Sequence, residues 1–397
     1  MLTEPTVEQI RAEARAHYLA GRFGEAIQRQ LEAVNARVTA SESNLLELKE
    51  LSLYVSGSGD TAGALQILHH VISTGVDDVE VLHNAGVIHS RRGEFAQALK
   101  VLEQGHALQP DFAGLDAALN TAYTGAGRYD SARKHGRRAL VALDEAACAA
   151  ARRFPLPKTK PKPFDPSRPS KNVIAFSLWG DNRRYLDGAV RNARLAPDMY
   201  PGWRCRFYHD DSVPSDVLTE LATNQAELFP MSKPQRFYDG LFWRFHVCND
   251  VSVERFLVRD CDSVFTVKER VAVDAWLHSN HYFHVMRDWY THCDLVLAGM
   301  WGGVGNVLPS VGELLAQYAI KGLPVRTIDQ RFLREQLWPT IKQSCLVHDS
   351  VFAMPGSVPF PMFGHLPEGR HIGEVYTHLE LDNGVLVTDA NEPNKSA

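Results

Sequence analysis

Two hydrophobic patterns meet near residue 152. On the N-terminal side, small and aromatic positions recur with a long period. Gly21-Arg-Phe23-Gly-Glu-Ala26 returns as Gly59-Asp-Thr61-Ala-Gly-Ala64, as Gly93-Glu-Phe95-Ala-Gln-Ala98 and as Gly127-Arg-Tyr129-Asp-Ser-Ala132, at glycine spacings of 38, 34 and 34 residues. Such a period predicts stacked helix pairs, none of which can bury its apolar face alone. Glycine permits the tight turn between paired helices, alanine lets them approach, and the aromatic fills the gap at the turn. On the C-terminal side, short apolar runs alternate with helical segments. Asn172-Val-Ile-Ala-Phe-Ser177, Trp203–Tyr208, Ala226–Phe229 and Phe256-Leu257-Val258 read as strands. Tyr185–Arg194, Pro214–Leu221 and the aromatic-rich Arg236–Val247 read as helices. The alternation predicts an α/β sheet with mostly parallel strands, so the fold class is α followed by α/β.

Between the two patterns, Arg152–Ser170 carries six prolines among basic residues, which excludes regular structure and predicts an extended, solvated spacer. The expected organisation is an array over 1–151, a linker over 152–170, an α/β domain over 171–387 and a disordered polar tail over 388–397.

Composition narrows the function classes. The 397 residues are 45% hydrophobic and 22% charged, with a net charge of −5, so no overall positive field attracts nucleic acid or anionic membrane. No apolar run approaches the length of a transmembrane helix. Met1–Glu8 lacks the basic-then-apolar pattern of a signal peptide. The six cysteines are scattered, with no Cys-x-x-Cys pair, which predicts free thiols in a reducing cytoplasm.

The strongest chemical signal is Arg259-Asp260-Cys261-Asp262-Ser263 at the end of the predicted strand Phe256–Val258. Two carboxylates one residue apart suit a hard divalent cation, Mg²⁺ or Mn²⁺, which also takes phosphate oxygens. A solvated turn has the same composition. The loop Leu178-Trp179-Gly180-Asp181-Asn182 and the Asp260/Asp262 pair both follow strands, and ligands of α/β sheets sit beyond the carboxyl ends of strands.

The N-terminal units resemble the tetratricopeptide repeat, best in the third copy, where Asn84-Ala85-Gly86 supplies small first-helix positions and Pro110 closes the second helix. That resemblance implies a solenoid whose concave face binds a protein or peptide partner, or packs on a neighbour. The second half resembles the GT-A-type glycosyltransferases, in particular members associated with bacterial surface glycans. The likeness rests on the first strand and loop, Tyr200-Pro-Gly-Trp-Arg204, the Arg-Asp-x-Asp-Ser run, His284–Asp288 with His292, Ala298–Gly303, and Asp329-Gln330, in an order similar to glycogenin-like transferases.

The resemblance implies a nucleotide-diphosphate sugar donor, a protein or glycan acceptor, and Mn²⁺ or Mg²⁺ on Asp260 and Asp262. It also implies a later histidine as third ligand: His348 first, then His371 and His365. Arg244 would meet phosphate or an Asp-x-Asp carboxylate, or form a structural ion pair. Gly302 and Gly303 would let backbone approach the sugar or acceptor, or make a tight turn. Asp329 and Gln330 would lie near the reacting carbon, or Asp329 would cap a helix. Asp288 would contact sugar or act as general base. Trp179 or Tyr185 would flank the base, or pack in the core. The chain lacks the His-x-x-Gly-x-Lys-Pro-Trp ending of glycogenin-like enzymes. A nucleotidyltransferase would want a Gly-rich phosphate loop and a lysine after the first strand, which Leu178–Asn182 does not supply; a repeat scaffold carrying an inactive transferase fold is the other alternative.

Overall fold

The computed structural model describes residues 5–150, 152–234, 236, 238–318, 327–361, 371–374, 379–382 and 385–388. The chain forms two compact units, Met1–Ala139 and Leu140–Pro234 with Tyr238–Asn391. His365 and residues 389–397 of the expected tail lie outside the described residues.

The helices of the repeat region are α1 (Val7–Leu19), α2 (Phe23–Thr39), α3 (Leu45–Gly57), α4 (Thr61–Ser73), α5 (Val79–Arg91), α6 (Phe95–Leu108), α7 (Leu115–Gly125) and α8 (Tyr129–Ala150). From α1 to α7 each helix packs on the next. The repeated glycines have a structural cause. Gly21, Gly59, Gly93 and Gly127 all hold a left-handed backbone, at φ +74°, +95°, +74° and +69°, in the turn inside each pair. The alanines five residues later, Ala26, Ala64, Ala98 and Ala132, are each 0% exposed. Close approach is needed where α5 meets α6 and where α6 meets α7: a Cβ on Gly86 would stand 2.3 Å from Leu102 Cγ, and one on Gly125 2.1 Å from the Phe95 ring. Local signals set the starts. Thr6 and Gln9 form a reciprocal capping box on α1, and Asp60 and Asp78 cap α4 and α5 through the Gly63 and Val81 amides.

In the second unit an eight-stranded sheet has the order β3-β2-β1-β4-β6-β5-β7-β8. Its strands are β1 (Asn172–Leu178), β2 (Arg204–His209), β3 (Glu227–Pro230), β4 (Arg255–Val258), β5 (Phe283–Arg287), β6 (Trp301–Val304), β7 (Cys345–Asp349) and β8 (Ser357–Val358). All pairings are parallel except those of β6, which runs antiparallel to both β4 and β5. The sheet is mostly parallel, as the alternating pattern predicts. A separate antiparallel pair, β9 (Leu379–Asp382) and β10 (Val385–Thr388), follows.

Helix α9 (Arg183–Met199) starts at Asn182, whose side chain accepts from the Arg184 amide, and α10 (Ser215–Thr223) and α11 (Val267–Leu277) complete the longer helices of this unit. One core packs α9–α11 against the sheet around Phe176, Phe207 and Trp276; the rings of Phe176 and Phe207 stack at 4.7 Å.

Two expectations change. Arg236–Val247 is not an α-helix; the segment Asp239–Asn249 is a 3-10 helix. Gly240, Phe242, Trp243, Arg244, Phe245, Val247 and Cys248 are buried and His246 is exposed, so most of the segment packs in the interior. The Pro-rich segment is extended but not a free spacer. Thr340 Oγ1 accepts from the Phe154 amide at 3.1 Å, and Gln343 Nε2 donates to the Phe154 carbonyl at 2.7 Å. Tyr282 donates to Thr159 O at 2.8 Å, Arg255 to Lys162 O at 2.6 Å, and Phe164 stacks on Trp203 at 5.4 Å.

Candidate functional site

The Asp260-Cys261-Asp262 turn is built from below. The Arg259 amide donates to Ala175 O, carrying the β1–β4 ladder one residue past β4. The Arg259 side chain turns inward to Glu269 Oε1 at 2.6 Å and to the carbonyls of Val258 and Trp301, and Tyr200 donates to the same carboxylate at 2.6 Å. Cys261 also faces inward, its thiol 3.2 Å from Ser177 O. Helix α9 holds the outer side. A Cβ on Gly188 would lie 2.2 Å from Cys261 O, and Asn192 donates to Ser263 O at 2.6 Å. With Cys261 anchored, the two aspartates lie beyond the carboxyl ends of β4 and β1. The sheet order reverses between these two strands, which is where open α/β sheets form ligand crevices.

Each carboxylate has an arginine. Arg244, 4% exposed, hydrogen-bonds Asp260 through Nη1 and Asp329 Oδ2 at 2.9 Å through Nη2. One guanidinium therefore serves two carboxylates. Burial raises the Asp329 carboxyl to about 6, against the pull of Arg244 and with the added push of Asp260. The guanidinium itself stays charged: its pKa is raised, burial being outweighed by the two aspartates. Asp262 takes Arg184 Nε at 2.9 Å and Nη2 at 2.7 Å. Burial, and then the charge of Asp260, raise the Asp262 carboxyl despite Arg184. The Asp260 side chain is 42% exposed, against 10% for Asp262 and 5% for Asp329, so Asp260 is the carboxylate open to ligand. It rests over Gly299, where a Cβ would stand 2.0 Å from Asp260 Oδ2.

The fold thus brings together Asp260, Asp262, Arg244 and Asp329, with Gln330 beside Asp329 at the start of the short helix α12 (Ile328–Phe332). Asp329 is not the helix cap; Thr327 holds that position, and Asp329 Oδ1 accepts from its neighbour, the Gln330 amide.

Other expected residues are placed elsewhere. His348 does not join the aspartates. It lies within β7, 2% exposed, with Nδ1 2.8 Å from His284 Nε2, and burial lowers its pKa to about 4. Gly302 and Gly303 are interior residues of β6 and not a loop at the site. A Cβ on Gly302 would stand 2.6 Å from Phe256 O, and one on Gly303 2.7 Å from the Phe283 ring, so sheet and core packing require them. Trp179 packs on Gly240 and, edge to face at 5.8 Å, on Trp243; Tyr185 packs against the core under α9. Asp288, just past β5, belongs to a second cluster. It takes Lys268 Nζ at 3.0 Å and the Ile372 amide, and faces His292 at 3.3 Å. These partners, with His292 foremost, hold its carboxyl low in spite of burial. His371 stacks on Trp289 at 5.7 Å and meets His292 edge-on at 4.8 Å. Two residues along, Gly373 O accepts from Ser263 at 2.9 Å, so the segment 371–374 links Asp288 to the end of the Asp-x-Asp turn.

Arg184, Gly299 and Lys268 were not among the expected site residues. A basic residue in the first turn of the helix that follows β1 is the signal that marks Arg184.

No family model matches the chain, and no curated protein matches it. Among solved structures, an O-GlcNAc transferase of Thermobaculum terrenum is similar at 16% identity and TM-score 0.40, over 58% of this chain and 42% of its own, so this chain spans less than half of that transferase. MamA from Desulfovibrio magneticus RS-1 is similar at 19% identity and TM-score 0.31, over 36% of this chain and 78% of its own. TPR-like repeats of a kinesin light chain from Podosopora anserina are similar at 17% identity and TM-score 0.32, over 36% and 78%. The repeat character of the first unit rests on its own left-handed glycines and buried alanines. Among the described residues, no helix is long and apolar enough to cross a membrane.

Proposed function

We propose that the second unit is a GT-A-type glycosyltransferase that moves a sugar from a nucleotide-diphosphate donor to a protein or glycan acceptor, and that the repeat array holds the acceptor or a partner protein. The observation that carries this reading is the position of Asp260 and Asp262 beyond the carboxyl end of β4, beside β1, at the reversal of strand order.

The two carboxylates fit Mn²⁺ or Mg²⁺. Asp260 is open and seated over a glycine whose Cβ would fill its place, and Asp262, raised by burial and then by the charge of Asp260, has a like charge beside it that a cation would offset. Among the described residues no cluster of potential ligands joins His348 to Asp260 and Asp262. A bound ion would offset charge developing on the departing diphosphate. The chain's own residues do the positioning. Arg244 ties Asp260 to Asp329, and Arg184 can meet a phosphate as a bidentate partner in place of Asp262. Asp329, held by Arg244, and its neighbour Gln330 would contact the sugar. The scaffold reading also has an observation in its favour: both Asp-x-Asp carboxylates already have guanidinium partners.

One experiment decides between them. The full chain is incubated with Mn²⁺ and a panel of UDP-, GDP- and dTDP-sugars, with thermal shift and diphosphate release as readouts and Asp262→Ala as control. The transferase reading expects stabilisation and release with at least one donor, both lost in the variant. No stabilisation by any nucleotide sinks it, and stabilisation without release supports the scaffold.

A further inference from the structure

We propose that His106, Asp116 and His135 form a binding site for one divalent transition-metal ion of the Zn²⁺ class inside the repeat array. The three residues come from three consecutive helices, α6, α7 and α8, and their ligand atoms lie within 4.8 Å of one another. Two imidazoles and one carboxylate are a donor set suited to Zn²⁺, Co²⁺ or Ni²⁺ and poorly suited to Mg²⁺ or Ca²⁺.

His106 Nε2 is buried and has no hydrogen-bond partner. A buried nitrogen without a partner costs free energy unless a ligand takes it up. The His106 and His135 rings meet edge to face at 5.5 Å, and Tyr123 stacks on His135 at 5.4 Å while donating to Glu103 at 2.7 Å, which fixes the ring. Asp116 Oδ1 is 2.6 Å from His135 Nδ1, a hydrogen bond that an ion held by both atoms would replace. Arg138 pairs with the other oxygen, Oδ2, at 3.2 Å and is 42% exposed, free to turn outward. Beside the cluster is a pocket of about 160 Å³ lined by Glu103, His106, Tyr123, Lys134, His135 and Arg138. Three protein ligands leave a tetrahedral ion one open position, and the pocket has room for a water or a partner's side chain there.

Two other clusters show what the array site has that they lack. His69 and His89 face each other at 3.2 Å, and His89 is satisfied by Glu94 at 2.6 Å. Asp288, His292 and His371 converge similarly, but neither imidazole has a buried nitrogen left without a partner as His106 does, and Lys268 is held on the Asp288 carboxylate.

The test uses the full chain, stripped with a chelator. Co²⁺ titration is followed in the visible spectrum, and Zn²⁺ affinity is measured against a chromophoric chelator. Wild type takes up one equivalent at this site. His106→Gln and Asp116→Asn each weaken it at least about tenfold, with far-UV circular dichroism unchanged. His106→Gln removes a nitrogen that holds nothing in the ion-free fold, so loss of binding there is not loss of structure. His69→Gln, which removes an imidazole elsewhere in the array, leaves the uptake as it is. Uptake that survives both array substitutions, or that disappears with His69→Gln instead, overturns the proposal.

Discussion

Arg244 holds more of the candidate site than any other side chain, because two aspartates depend on one buried guanidinium. Removing it leaves Asp329 buried and uncompensated. Arg244→Met is expected to cost about 3–5 kcal/mol in urea unfolding. Adding Asp329→Leu should recover most of that loss, since Asp260 keeps access to water. Equal destabilisation of the single and double variants would show that the pair does not brace the site. His348 is the residue to follow by pH. Its folded pKa is lowered to about 4 from an ordinary value near 6.5, so on acidification the unfolded chain takes up a proton that the folded chain refuses. The stability that His348 contributes is present above pH 6.5 and lost as pH falls towards 4, on the order of 3 kcal/mol. His348→Gln removes this titration, so its deficit against wild type should be larger at pH 7 than at pH 5 in parallel unfolding curves. What sequence reasoning could reach at this scale were residues whose chemistry is local. Asp260 and Asp262 announce themselves by spacing, and Arg244 by standing among aromatics. The burial of His348 against His284 depends on the β5–β7 register, sixty-odd positions apart in the chain, and no local pattern encodes it.

At the level of elements, the repeats were legible because each turn needs a residue type that only φ > 0 explains, and each helix pair needs a small residue at the contact. Gly86 tests the second requirement. Gly86→Ala would place a methyl 2.3 Å from Leu102 Cγ, and overpacking of this kind costs about 1–3 kcal/mol. A lowered thermal midpoint is expected, whereas alanine in place of glycine in an unconstrained helix would raise it. Strands β1–β4 and helices α9 and α10 were legible from apolar runs and caps, whereas β5, β7 and β8 were not read as strands. Asp239–Asn249 was not legible either: a segment buried at most of its positions carries no clear period by which a 3-10 helix can be told from an α-helix. Nor was β6, since the glycines that suggest a ligand loop, Gly302 and Gly303, are strand residues thinned to admit the Phe256 carbonyl and the Phe283 ring.

For the whole chain, the six cysteines form no disulfide and sample every depth. Cys148 is exposed, Cys293 and Cys345 are half-buried, and Cys205, Cys248 and Cys261 are buried. A thiol-reactive disulfide reagent should modify Cys148 at once in the native protein and reach the three buried thiols only on unfolding, with peptide mapping to identify each. Cys261 is the informative one, because it is the inward anchor of the Asp-x-Asp turn. Early labelling of Cys261 would mean that the turn opens in the native state.

The Pro-rich segment also sets where this protein can be cut and recombined. Its prolines invite a boundary at residue 171, yet a chain started there would strip the cover from Trp203 and the carbonyl acceptor from Arg255. Burial has already drawn the Arg255 guanidinium down to about 10, so that acceptor is costly to lose. The segment is cladding and not a hinge. Any exchange of one repeat array for another, by evolution or in the laboratory, would have to carry the prolines along with the sheet they clothe.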